Sequence, residues 1–145
     1  MPRDFSEVYL YNFEDLTVGQ NASIARTVSE ADILAFAGVS GDSNPVHVDE
    51  EFAASTMFKG RIAHGMLSVS YISTVLGTKL PGPGAIYLSQ MVKFKAPVRI
   101  GDTVVTRATI TALEADKRRV TLSTVCTVGE TEVTVGEAQI LLPKR

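Results

Sequence analysis

Residues 65 to 79, "GMLSVSYISTVLGTK", place apolar or small side chains on every face of a possible helix of roughly four turns, about 22 Å long. A helix that is apolar all round is usually buried. The next residues, "LPGPG", interrupt a helix because proline and glycine cannot continue it. The stretch therefore predicts a central helix enclosed by the rest of the fold.

Four extended segments follow this helix. In residues 85 to 98, apolar side chains alternate with lysines, as in a strand with one exposed face. Similar segments cover about residues 102 to 113, 118 to 128 and 131 to 142, and turns as short as "EADK" and "GE" join them. Short turns connect antiparallel neighbours. The expected fold class is α+β, a long antiparallel sheet around one buried helix, with a sheet edge or face left for a homodimer partner.

The residues before the central helix predict one more strand and further helices. Residues 22 to 28 are typical of a short strand, and "SEAD" at 29 to 32 resembles a capping box that begins a helix. Gly38 and Gly41 are expected to end that helix. Asp49 is expected to cap a short helix through "EEFAAS".

Composition restricts the classes of function. Fourteen Lys and Arg residues against sixteen Asp and Glu residues give a net charge of -2, without long runs of either sign. This pattern argues against a nucleic-acid or membrane partner. No repeat or linker divides the chain, so we expect one domain, residues 1 to 145. The single cysteine, Cys126, is expected in the core. A lone cysteine, together with the expected absence of a leader sequence and of an apolar run of about 18 residues, predicts a location in the cytoplasm.

The stretch "GVSGDSNPVHVDEEF", residues 38 to 52, contains one of only two histidines. Regular structure would separate Asp42 from His47, by about 140° in a helix or onto opposite faces of a strand. Pro45 is expected to forbid a helix here and to make Asn44 extended. A turn at Asn44-Pro45 could then join Asp42 and His47 into a proton-handling pair that holds a water. Alternatively, these are ordinary turn residues and a structural histidine.

Metal binding is a weaker alternative. It would recruit Asp42, His47, Asp49 and His64, but their spacing does not supply three or four convergent ligands.

Gly65 begins the central helix directly after the second histidine, His64. A helix N-terminus presents unpaired amide N–H groups and the positive end of the helix dipole. Glycine lets a ligand approach the backbone, so this site could polarise a carbonyl and stabilise an oxyanion or enolate. His64 could be catalytic, but we favour a structural histidine that orients the loop.

The two stretches together resemble the MaoC-like hydratase and dehydratase family, in its (R)-specific enoyl-CoA hydratase type. "SGDSNPVHVD" is similar to the family's hydratase motif and "AHGML" to the start of its central helix. The similarity continues through "LPGPGAIYLSQMVKFKAPVRIGD" to the last strand. It implies a hot-dog fold, in which a long antiparallel sheet wraps around one central helix, and a homodimer with a continuous sheet.

The resemblance also implies an activity and its residues. Asp42 and His47 would be the catalytic pair that holds a water, and the Gly65 amide would hold the thioester oxygen. Supporting and acyl-pocket positions would be Asn44, Ser73, Met66 and Leu76. The implied reaction is hydration of a trans-2-enoyl-CoA to an (R)-3-hydroxyacyl-CoA, without a cofactor or metal.

Other functions share parts of this pattern. A 3-hydroxyacyl-ACP dehydratase would run the reverse reaction on an acyl carrier protein, and a catalytically silent hot-dog subunit would only bind an acyl thioester. A thioesterase is less favoured, because the pair precedes the helix as in hydratases. Lys59 and Arg61 could meet CoA phosphates or carrier acids, although two basic residues are more often a solvated loop.

Overall fold

The computed structural model describes all residues, Met1 to Arg145. It contains five strands and four α-helices, preceded by two short 3-10 helices, Ser6–Val8 and Phe13–Asp15. The strands are β1 (Asn21–Thr27), β2 (Ile86–Phe94), β3 (Thr103–Glu114), β4 (Arg119–Val128) and β5 (Thr131–Leu141). The helices are α1 (Glu30–Ser40), α2 (Pro45–Val48), α3 (Glu50–Ala54) and α4 (Gly65–Thr78).

All five strands form one antiparallel sheet in the order β1-β3-β4-β5-β2. The hairpin of β4 and β5 turns at Gly129 and Glu130, where the short turn "GE" predicted it. Strands β1 and β2 are the two edges. The predicted α+β class and the predicted strands are therefore confirmed. Most boundaries differ by one residue, but β2 ends at Phe94 and not at residue 98.

Helix α4 packs against the sheet, chiefly against β3. Its inner face includes Ile72 and Val75, both 0% exposed, in a core cluster of 22 buried residues. The prediction that α4 is buried on every face is wrong for the single chain, since Met66, Ser73 and Thr74 on its other face are exposed. None of the helices combines the length and the apolar character that crossing a membrane requires.

The predicted capping box begins α1. The Ser29 hydroxyl accepts a hydrogen bond from the Asp32 N–H at 3.1 Å, and the Asp32 carboxylate accepts one from the Ser29 N–H at 2.9 Å. The helix ends at Gly41, whose φ of 77° is the left-handed conformation that glycine adopts most easily. Gly38 does not end the helix as predicted, because its helical conformation costs glycine only about 1 kcal/mol relative to alanine.

Pro45 begins helix α2 instead of forbidding a helix. Proline is tolerated at the first helical position because the N–H that it lacks would have no partner inside the helix. The Asn44 side chain caps this turn by accepting a hydrogen bond from the Val46 N–H at 3.2 Å. Asp49 caps α3 as predicted, through the Phe52 N–H at 3.1 Å. His47 thus lies on a short, doubly capped helical segment.

Candidate active site

Three polar side chains converge where the loop after α1 meets the start of α4. One carboxylate oxygen of Asp42 and one ring nitrogen each of His47 and His64 lie within 4.8 Å of one another. His47 is 8% exposed and His64 is 2% exposed, whereas Asp42 is exposed. The structure therefore brings Asp42 and His47 together, although through a helical turn and not through the extended turn that Pro45 predicted.

Backbone carbonyls fix the orientation of both imidazole rings. His47 Nδ1 lies 2.8 Å from the Ile62 carbonyl oxygen, and His64 Nε2 lies 2.8 Å from the Asp42 carbonyl oxygen. A carbonyl oxygen only accepts, so each of these nitrogens carries the hydrogen. In the neutral rings, His47 Nε2 and His64 Nδ1 are then the nitrogens with a free lone pair. His47 Nε2 is the one that can take a proton from a neighbouring water.

Asp42 is held by its own loop. Its N–H donates to the Ser40 hydroxyl at 3.1 Å, and one carboxylate oxygen accepts from the Asn44 N–H at 3.3 Å. Such local bonds between an aspartate and the backbone two residues on are typical of turns. Asn44 therefore contributes twice, by its backbone to Asp42 and by its side chain to the cap of α2.

His64 connects the two members of the pair. Its ring stacks on His47 with centroids 3.9 Å apart, and it also contacts the Phe36 ring at 4.9 Å. Its hydrogen bond to the Asp42 carbonyl fixes the loop that carries Asp42. This is the contact expected from a histidine that orients the loop.

Gly65 is the first residue of α4, and its N–H has no hydrogen-bond partner within the chain. The Phe94 ring lies directly over it: a Cβ atom at position 65 would be 2.7 Å from Phe94 Cε1. Any side chain there would have to displace the ring. Only glycine therefore leaves both the ring in place and the amide uncovered.

A cavity of about 470 Å³ adjoins this helix start. Its wall includes His47, His64, Gly65, Met66, Ser68 and Phe94, and most of the remaining lining is apolar. Asp42 does not line the cavity. The arrangement can place a carbonyl against the Gly65 N–H while a second group meets His47.

Two of the expected pocket and supporting residues lie elsewhere in the single chain. Ser73 is exposed on α4, and Leu76 is 1% exposed in the core cluster; neither lines the cavity. Although the two residues are only three positions apart, Leu76 is on the buried face of α4 and Ser73 is on the exposed face. Met66 lines the cavity, and its place in an acyl pocket stays a prediction from the resemblance.

Phe94, Ser68 and Thr134 are among the cavity residues that the sequence reasoning missed. Ser68 could have been found, since it lies one turn after Gly65 and shares its side of the helix. Phe94 and Thr134 face each other across β2 and β5, and this pairing cannot be read from either strand alone.

Two further expectations need correction. Arg61 is not a free loop cation: its Nε donates to the His47 carbonyl at 2.7 Å, and its Nη1 pairs with Glu30 at 2.7 Å. Three potential metal-ligating side chains do converge, although the spacing predicted no convergence, because the fold places His64 beside His47. Lys59 is exposed.

Cys126 lies in the core and is 0% exposed. Burial raises the pKa of its thiol, while a hydrogen bond with Thr106 acts weakly in the opposite direction. A thiol in this environment stays protonated and unreactive at neutral pH.

Comparison with known proteins identifies the family of the chain. The model of the MaoC like domain family matches residues 15–136. The chain is 57% identical to an (R)-specific enoyl-CoA hydratase of Rhodospirillum rubrum over 96% of both chains. It is 46% identical to a 3-hydroxybutyryl-CoA dehydratase of Methylorubrum extorquens, over 96% of this chain and 88% of that protein.

A solved structure gives the same result for the fold. The (R)-hydratase from A. caviae, described as involved in PHA biosynthesis, superimposes with a TM-score of 0.87 at 44% identity. The match covers 90% of this chain and 99% of that protein. The five-stranded sheet and helix α4 form a hot-dog fold, and the chain belongs to the MaoC-like domain family.

Proposed function

We propose that the protein catalyses the (R)-specific hydration of trans-2-enoyl-CoA to (R)-3-hydroxyacyl-CoA. One observation carries the proposal: the Asp42 carboxylate and the His47 ring lie within 4.8 Å, beside a helix start whose first amide has no partner. Relatives that are 57% and 46% identical are named as a hydratase and a dehydratase of CoA thioesters. These two names describe the two directions of one kind of reaction.

The proposed chemistry follows from the positions of these groups. The thioester oxygen accepts a hydrogen bond from the Gly65 N–H, at the positive end of the α4 dipole. Electron density then moves toward this oxygen, and C3 of the enoyl group becomes electrophilic. A water held by Asp42 and His47 attacks C3, and the pair returns a proton to C2. Water is thereby added across the double bond, and neither a metal nor a cofactor takes part.

His47 is suited to this exchange because its tautomer is fixed. The hydrogen bond from Nδ1–H to the Ile62 carbonyl leaves Nε2 free to accept a proton from water. Most of the lining of the adjoining cavity is apolar, and an acyl thioester bound there would displace water from the Gly65 N–H, which strengthens that hydrogen bond.

The enzyme is proposed to act as a homodimer of one-domain chains. Strand β2 is an edge of the sheet, and its exposed side chains are unusually apolar for a free edge. The exposed apolar and aromatic residues are Ile86, Tyr87, Leu88, Met91 and Phe94. Antiparallel pairing of β2 with the same strand of a second copy would cover them and extend the sheet across both chains.

A 3-hydroxyacyl-ACP dehydratase is the second candidate, because the same chemistry serves a carrier-bound thioester. The near relatives named for CoA substrates favour the first candidate. Arg61 is committed to Glu30 and His47, so it does not provide a free cation for either carrier. A cytoplasmic location stays a prediction from the sequence.

The test is a direct comparison of carriers. Purified protein would be assayed with matched trans-2-butenoyl-CoA and trans-2-butenoyl-ACP, and the configuration of the 3-hydroxy product determined. We expect (R)-3-hydroxybutyryl-CoA, at a kcat/KM equal to or above that of the ACP substrate. A strong preference for the carrier protein would favour the dehydratase, and no hydration of either would contradict both.

A further inference from the structure

Arg61 is a buried cation that contacts the backbone of the proposed catalytic histidine. Its side chain is only 9% exposed, and its Nε donates to the His47 carbonyl at 2.7 Å. Its Nη1 pairs at 2.7 Å with Glu30, the first residue of α1. The guanidinium therefore joins the start of α1 to the residue that carries the proposed base.

Helix α2 is too short to hold His47 in place by itself. It has only four residues, and a single helical turn is not stable in isolation. Two of its carbonyls accept hydrogen bonds from the segment that leads into α4: that of Val46 from the Ile62 N–H at 3.2 Å, and that of His47 from Arg61. The His47 ring also bonds to this segment, through the Ile62 carbonyl. The position of the imidazole thus depends on residues 61 and 62, of which only Arg61 contributes its side chain.

Stability alone does not explain an arginine at position 61. Its Nη2 is fully enclosed and has no hydrogen-bond partner in the protein. A buried charge loses its hydration, and an unpaired buried N–H group adds to this cost, so an apolar side chain of similar size is often at least as stable. The bond to the His47 backbone gives the arginine a role that an apolar side chain could not take over.

Arg118 makes the same two kinds of bond away from the site. Its Nε donates to the Leu142 carbonyl at 3.0 Å, and its Nη1 pairs with Glu14 at 2.8 Å. It is 21% exposed, none of its nitrogens is both enclosed and unpaired, and it does not line the cavity. The chain therefore contains two arginines with matching contacts, of which only Arg61 reaches the proposed catalytic pair.

We propose that Arg61 is a positioning residue, which holds the His47 backbone and thereby keeps Nε2 of the ring at the water shared with Asp42. This inference rests on the proposed function. Without the guanidinium, the His47 carbonyl loses its partner and α2 loosens. The bond from Nδ1–H to the Ile62 carbonyl, which leaves Nε2 free to accept a proton, is then no longer maintained. Arg61 does not line the cavity, so its loss affects the chemical step more than thioester binding.

The test compares Arg61→Met with the matched control Arg118→Met, since methionine keeps an unbranched apolar stem and removes the guanidinium. We expect kcat for trans-2-butenoyl-CoA to fall by about tenfold or more in Arg61→Met, because a small displacement of a catalytic group greatly lowers the rate. KM should change by less than about twofold. Arg118→Met should keep the kcat of wild type, although it loses the same kinds of bond.

The ring of His47 can also be observed without catalysis. The chain has only two histidines, so nuclear magnetic resonance of isotope-labelled histidine gives the signals of just two rings. In wild type we expect His47 to carry its hydrogen on Nδ1 and His64 on Nε2. Arg61→Met should broaden or lose the Nδ1–H resonance of His47, whereas Arg118→Met should leave it unchanged.

Equal kcat values in Arg61→Met and Arg118→Met would overturn the inference, and so would a lower kcat with an unchanged His47 resonance. If Arg61→Met does not fold, Arg61→Gln and Arg118→Gln are compared by the same two measurements, with the same expected results, because glutamine is shorter and uncharged. If wild type hydrates no enoyl thioester, the proposed function fails. Loss of the His47 resonance in the position 61 variant alone would then still support the positioning of His47, and an unchanged resonance would refute it.

Discussion

The imidazole rings of His47 and His64 are stacked, with centroids 3.9 Å apart and planes inclined by 29°. The same His64 ring donates a hydrogen bond to the backbone carbonyl of Asp42. One buried side chain therefore contacts both members of the proposed catalytic pair, Asp42 through its backbone and His47 through its ring face. The pair is a unit that His64 helps to assemble.

His64→Phe tests this positioning role. Phenylalanine keeps a flat ring between His47 and Phe36, but it removes the hydrogen bond to the Asp42 carbonyl. We expect kcat to fall by about tenfold or more, because a lost buried hydrogen bond costs roughly 1–3 kcal/mol and frees the loop. KM should change little, since His64 holds the pair and not the thioester. Phe36→Leu is the control, because Phe36 also contacts the His64 ring but makes no hydrogen bond to Asp42. An unchanged kcat in His64→Phe would contradict the positioning role of His64.

Gly65→Ala tests the close approach of Phe94 to the helix start. The new methyl group would lie 2.7 Å from Phe94 Cε1, so the ring must move, and it lines the cavity. We expect kcat/KM for trans-2-butenoyl-CoA to fall by about tenfold or more, and Phe94→Ala in the same chain to restore part of the loss. If the second substitution restores nothing, the methyl group acts on the substrate or the amide and not through the ring.

Leu76→Ala distinguishes a core residue from an acyl-pocket residue. Leu76 is 1% exposed within the core cluster, so the substitution should destabilise the fold by about 2–5 kcal/mol. The ratio of octenoyl to butenoyl activity should stay unchanged. Denaturant unfolding gives the first quantity and steady-state kinetics the second. Ser73→Ala, at an exposed position of the same helix, should change stability by no more than about 0.5 kcal/mol.

Much of the fold could be predicted because local patterns agree with it. Alternating strands, the Ser29-Asp32 capping box and the helix start at Gly65 each follow from a few neighbouring residues. The predictions for Pro45 and Gly38 were wrong because the effect of these two residues on a helix depends on their surroundings. Each residue permits a helix in one context and disfavours it in another, and the context here is supplied by the Asn44 cap and by the later stop at Gly41.

The site was only partly predictable. The proximity of Asp42 and His47 followed from a short loop, but His64 contacts both from 17 and 22 positions further along the chain. Thr134 and Phe94 meet only because β5 pairs with β2. The burial of Leu76 in the core cluster could not be predicted, because helical spacing shows which residues are neighbours but not which face of the helix meets the sheet.

Met91→Lys tests the proposed homodimer. Met91 is 53% exposed on the edge strand β2, and a lysine there would place two like charges at an interface formed by two copies of β2. We expect wild type to scatter light as a dimer and Met91→Lys to shift toward monomer at the same concentration. Val39→Lys, at an 89% exposed apolar position on α1, should leave the dimer intact. A monomeric wild type would contradict the proposed interface.

The most direct measurement is kcat for hydration of trans-2-butenoyl-CoA by Asp42→Asn, His47→Gln and the double variant. If one water is held by both groups, each single substitution removes the same arrangement. Each should then lower kcat by roughly a thousandfold or more, and the double variant should be little worse than the worse single. Melting temperatures should change only modestly, because the caps of α1 to α3 do not depend on these two side chains. Near-wild-type turnover in either single variant, with the fold verified by circular dichroism, would contradict the mechanism and leave thioester binding as the better explanation of the site.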